Sequence, residues 1–119
     1  MNDPECLDPA ALDRLRHLGN GKFFIEMIDL YLDWSARKLA QARSGEQAGD
    51  LQAIEMAAHS LKSSAANLGA VQVHDLANRL ETLAHDRQMD AVVPLLRELT
   101  AASEQVATRL TALRNQPPA

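Results

Sequence analysis

Apolar residues return every three or four positions along almost the whole chain, a period that suits helices and leaves no segment reading as a strand. Five segments follow it, each marked off by helix-ending or helix-starting residues. Asp8-Pro9 opens the first: Asp8 suits an N-cap and Pro9 the first helical position, and Gly19 closes it. Leu12, Leu15 and Leu18 line its apolar stripe. The second is expected from Gly21 to Arg43, stopping at Ser44-Gly45, with Phe24, Ile28, Tyr31, Leu32, Ser35, Leu39 and Ala42 on one face. Gly49-Asp50 gives a turn and a cap, and a third helix runs from Leu51 to Leu68 before Gly69 breaks it.

The fourth helix spans Val71 to His85, with Val73, Leu76, Ala77, Leu80, Leu83 and Ala84 on one side. Asp90 is expected to cap the fifth, with Pro94 in its first turn, where a missing N–H costs least. Val92, Leu96, Leu99, Val106, Leu110 and Leu113 form its buried stripe. Four long amphipathic helices on short turns can share one core. The expected fold is therefore all-α: an antiparallel four-helix bundle with a short additional N-terminal helix across one end. The 119 residues fit a single domain, ordered over about residues 8–114 with a loose tail at 115–119.

Composition narrows the function classes. Twelve Lys and Arg stand against 16 Asp and Glu, a net charge of −4, so there is no basic excess for a phosphate backbone and nucleic acid is not an expected partner. Aromatics are only 3%, which leaves the core to Leu, Ala, Val and Ile. One cysteine, Cys6, excludes an internal disulfide and a cysteine-based zinc cage. The opening Met-Asn-Asp-Pro-Glu is unlike a secretory leader, and the longest uncharged stretch, Ser63 to Val73, is too short to span a bilayer. A cytoplasmic location is expected.

The segment Ala57 to Ala70 carries the chemistry. Leu51, Ile54, Ala58, Leu61, Ala65 and Leu68 share the sector that must face the core, and His59 falls on the opposite, solvent side. Gln52, Glu55, Met56, Ser63 and Ala66 surround it on that outer face. Lys62 lies one turn on, within reach of the imidazole. Ser63, Ser64, Ala65 and Ala66 follow, where an ordinary exposed face would use long helix formers. Small side chains beside an exposed imidazole let another protein's backbone approach, and a nearby cation offsets the charge of a phosphoryl group on the ring.

This string closely resembles the signature of histidine-containing phosphotransfer (HPt) domains: His59, Lys62 three later, small residues between, then Leu68-Gly69. The family often has Gly directly after the Lys; here it is Ser63, still small. The resemblance implies a phosphorelay intermediate. His59 would accept a phosphoryl group from a receiver-domain aspartate and pass it to another receiver aspartate. Lys62 would steady the phosphate, Gln52, Glu55, Met56, Ser63 and Ala66 would dock the partner, and Leu68-Gly69 would shape the turn. The implied partners are receiver domains of response regulators or of a hybrid sensor histidine kinase, which supply the Mg2+. No cofactor of its own, no membrane attachment and a monomeric state are expected.

Other readings stay in view. His17, His74 and His85 read as structural or incidental, His17 and His85 near helix ends where a cation suits the macrodipole. No His-Glu-x-x-His occurs, which argues against a zinc site. No glycine-rich phosphate loop is present among the five glycines, so an ATP-dependent kinase is not expected. Phe23, Leu30 and Trp34 lie off the main stripe, either packed on the bundle's flank or forming an apolar patch near His59. The remaining Asp and Glu read as solvated helix faces. The competing function is a non-catalytic helical adaptor that docks receiver or kinase domains without covalent chemistry.

Overall fold

The computed structural model describes residues 6–19 and 21–116. It contains α1 (Pro9–Leu18), α2 (Gly21–Ala48), α3 (Leu51–Asn67), α4 (Val71–His85) and α5 (Met89–Arg114), with no strand among the described residues. Connections of a few residues force consecutive long helices to run antiparallel. α2 packs on α3, α3 on α4, α4 on α5, and α5 returns to α2, closing a four-helix bundle about 48 Å long. Ile28, Ile54, Leu61, Val73, Leu80, Val92, Leu96, Leu99, Val106 and Leu110 fill its centre with no more than 1% exposure. Cys6 and Leu7 are buried in the same core.

α1 begins as its sequence demands, with the Asp8 carboxylate accepting from Ala10 N–H at 3.0 Å and Pro9 in the first turn. It differs in its stripe. Ala11, Leu12 and Leu15 are buried, but Leu18, the last residue of the helix, is 73% exposed.

α2, α3 and α4 stop alike. Asp50 N–H reaches back to Gly45 O at 2.8 Å, Ala70 N–H to Ala65 O at 2.9 Å and Gln88 N–H to Leu83 O at 2.9 Å. In each, the residue before the donor is left-handed: Gly49 (φ 69°), Gly69 (φ 70°) and Arg87 (φ 60°). The stop expected at Ser44-Gly45 is therefore wrong. α2 continues to Ala48, and Gly45 is buried inside it, where an added Cβ would lie 2.9 Å from Ile54 Cγ1. That glycine serves the α2–α3 contact. Asp50 does cap α3, accepting from Ala53 N–H at 3.0 Å.

α5 corrects a second expectation. The turn at Arg87 leads straight into the helix at Met89, so Gln88 occupies the cap position and Asp90 lies in the first turn. Pro94 is inside the helix, and Asp90 O loses the bond that an N–H at position 94 would give it. Both residues are exposed, so water can replace that bond. The tail expected to be loose lies, from residue 117 onward, outside the described residues.

Arg87 is the one described non-glycine residue in a left-handed conformation. Arg87→Gly should raise stability by about 0.5–1 kcal/mol, the relieved backbone strain exceeding the added freedom of the unfolded chain. Urea unfolding of the two chains checks it.

Candidate functional site

Ala57, Ala58, Leu61 and Ala65 of α3 turn inward, which leaves His59 on the outer seam between α3 and α4, mid-helix and 62% exposed. Gln52, Met56, Ser63 and Ala66 are exposed around it, and Glu55 is half-buried. Met56 is a large apolar residue 64% exposed on this face. Leu68 is buried at the end of α3 beside the left-handed Gly69.

The imidazole is tethered across the seam. Its Nδ1 lies 2.8 Å from Glu81 Oε2 on α4, and the other oxygen of the same carboxylate lies 2.7 Å from Lys62 Nζ. Lys62 also donates to Asn78 Oδ1 at 3.3 Å; an ammonium has no acceptor, so the amide must present its oxygen. Glu81 is only 22% exposed, unlike the solvated face expected of it. Its contact with Lys62 holds the carboxyl below the usual glutamate range; partial burial opposes this and the His59 hydrogen bond assists it.

An ionised carboxylate accepts hydrogen bonds and cannot donate them. The proton shared with Glu81 therefore belongs to His59 Nδ1, and the neutral ring keeps the lone pair of Nε2 for chemistry. Glu81 also faces the positive charge that grows on the ring when Nε2 forms a new bond. Glu81 and Asn78 escaped the sequence reading, although a signal existed. The pairs Lys62–Asn78, His59–Glu81 and Glu55–His85 are separated by 16, 22 and 30 residues, and each is centred on Ala70. Folding the chain back at Gly69 would have aligned all three.

His85, expected only to sit well at a helix end, lies with Nδ1 3.1 Å from Glu55 Oε2. His17 Nδ1 instead meets its own helix at Asp13 O, 2.7 Å away, and His74 comes no closer than 3.9 Å to Asp75. Among the described residues no group of three or more His, Cys, Asp or Glu is placed to hold a metal.

Next to the seam, a shallow groove between α2 and α3 is lined by Lys38, Gln41, Ser44, Ala53, Met56 and Ser60. Of the off-stripe residues, Phe23 is half-buried against the core. Leu30 and Trp34 are exposed, with Lys38 Nζ 4.4 Å from the Trp34 ring centre. No described helix is long and apolar enough to cross a membrane.

Replacing Glu81 by Gln removes a group that orients and charge-balances the His59 ring, and should slow any reaction at its Nε2 about 10–100-fold. The same variant tests the acid limb of stability. A carboxyl whose folded-state pKa is depressed stabilises the protein fully above its unfolded pKa, about 4.3, and loses that contribution as pH falls through the folded value. The stability gap between native and Glu81→Gln chains should thus be widest near neutrality and close below about pH 4. Urea midpoints measured across that range check it.

A comparison with curated proteins gives no match. Among solved structures, the fold matches histidine-containing phosphotransfer protein B (HptB) from Pseudomonas aeruginosa PAO1, with a TM-score of 0.90 and 24% identity over 95% of this chain and 97% of that one. It also matches the HPT domain of the Hpt sensor hybrid histidine kinase from Shewanella, with a TM-score of 0.82 and 17% identity over 98% and 100% of the two chains. Those identities speak for the fold. The sequence itself matches the Hpt domain family model over residues 26–116, most of its length. The chain belongs to the Hpt domain family, the histidine phosphotransfer carriers of two-component phosphorelays.

Proposed function

We propose that His59 is the phosphoryl-carrying residue, taking the group from a receiver-domain aspartyl phosphate and handing it to the aspartate of a second receiver. One observation carries this reading: an exposed imidazole whose Nδ1 is held by a carboxylate that also holds Lys62. The Nε2 lone pair attacks phosphorus in line, the N–P bond forms, and the acyl P–O bond breaks with its electrons leaving on the receiver's carboxylate. The proton stays on Nδ1, where Glu81 balances the ring's positive charge. Lys62 Nζ lies 2.7 Å from Glu81 and donates to Asn78, and a remaining N–H of the ammonium supports a phosphoryl oxygen. Reversal with a second receiver uses the same groups.

The receiver seats on Gln52, Glu55, Met56, Ser63 and Ala66, Met56 giving the apolar contact and the small Ser63 and Ala66 letting its backbone come close. The Mg2+ of the transfer belongs to the receiver, since Glu81 is already engaged by His59 and Lys62. The chain then acts as a carrier without an autokinase centre, as a monomer, in the cytoplasm.

Transfer of labelled phosphate from a panel of phosphorylated receivers, with the labelled residue mapped by peptide mass spectrometry at neutral pH, tests this. Label at residue 59 is the expected result. Receivers that bind the chain and never label it would make it an adaptor.

A further inference from the structure

The sequence Glu-x-x-x-His occurs once on each wall of the site: Glu55 to His59 on α3, and Glu81 to His85 on α4. Residues four apart share a helix face. In the antiparallel hairpin each histidine therefore meets the other helix's glutamate, His59 with Glu81 at 2.8 Å and His85 with Glu55 at 3.1 Å. A local twofold axis normal to the seam exchanges the two pairs. Both imidazoles engage their carboxylate through Nδ1, and both are exposed, His59 at 62% and His85 at 73%. His17 and His74 have no such partner. His17 bonds a neutral carbonyl, which fixes the ring but balances no charge, and His74 makes no hydrogen bond of that length.

We propose that His85 is a second phosphoryl-accepting imidazole, held by Glu55 as His59 is held by Glu81. The inference rests on the reading of His59, because it carries the same chemistry to the symmetry-related position. The donor is an activated phosphoryl group, in an acyl phosphate or a phosphoramidate. Nε2 of His85 attacks phosphorus, the donor's P–O or P–N bond breaks, and the leaving carboxylate or amine takes the bonding electrons. A phosphoramidate enters as its N-protonated form and leaves as neutral ammonia. The proton on His85 Nδ1 stays hydrogen-bonded to Glu55. The two sites differ in their cation. Lys62 Nζ lies 2.7 Å from Glu81, whereas among the described residues Glu55 has an ion-pair partner only in His85. Without a cation paired to its carboxylate, His85 accepts more slowly and holds the group less long.

The test uses the full chain carrying His59→Gln, treated in one arm with phosphoramidate and in the other with a phosphorylated receiver. The modified residue is mapped at neutral pH by mass spectrometry and 31P NMR. Label at His85, formed about tenfold more slowly than at His59 of the native chain, is expected from phosphoramidate. Adding Glu55→Gln should cut that rate about a further tenfold. Label in the receiver arm would make the acyl phosphate a donor as well; label confined to phosphoramidate would restrict the donor to small molecules. No label at His85 from either donor overturns the proposal, as does equal labelling of His17 and His74 or a rate indifferent to Glu55→Gln. Whether the native chain is labelled at His59 is read separately, so the two readings can fail independently.

Discussion

His59→Gln should stop relay from a phosphorylated receiver to a second receiver, by about a thousandfold or more, while the melting curve stays where it was. Glutamine is chosen because its amide N–H can still donate to Glu81, which otherwise loses the bond it shares at 2.8 Å with the imidazole. The amide nitrogen's lone pair is delocalised and does not attack phosphorus. His59 is 62% exposed and packs no core, so its replacement should move stability by no more than about 0.5 kcal/mol. Any label that remains should map to His85. Transfer between two receivers, followed with and without the variant chain, reads the outcome directly. Undiminished relay through His59→Gln would remove the proposed carrier.

That contrast between chemistry and fold follows from which residues a helix period can reveal. The core was legible because each buried position of α3 and α4 repeats at three or four, and Ile54, Leu61, Val73, Ala77 and Leu80 are all fully buried as the spacing demands. His59 was legible for the complementary reason, being the chemically reactive side chain on the face turned away. Glu81 was not, because nothing within its own helix marks it. Its role exists only across the seam, and the pairing depends on where the hairpin folds back. Gly45 was misread for a related reason: glycine serves equally as a helix stop and as a gap for a neighbouring helix, and only Ile54 against it decides. Asp90 was misplaced because the turn before it is completed by main-chain bonds, which no side-chain pattern announces.

Gly69 joins both roles, and the largest stability change should come from it. Its φ of 70° is left-handed, which costs an alanine about 1–2 kcal/mol. A Cβ there would also lie 2.7 Å from Ala11 Cβ, 3.0 Å from Asp8 Cβ and 3.1 Å from Asp8 O. Asp8 N–H donates to Gly69 O at 2.7 Å, so the turn between α3 and α4 is the seat on which the start of α1 rests. Overpacking that seat adds about 1–3 kcal/mol, bringing Gly69→Ala to about 2–5 kcal/mol of lost stability. Gly49→Ala separates the two terms. It has nearly the same φ, 69°, with nothing within 4 Å of the added Cβ, and should cost only the conformational part, about 1–2 kcal/mol. Urea midpoints of the two variants measure the difference. Equal losses would mean that α1 does not press on the α3–α4 turn; a larger loss at Gly69 would show that the glycine ten residues past His59 is there to let α1 close the bundle beneath the site.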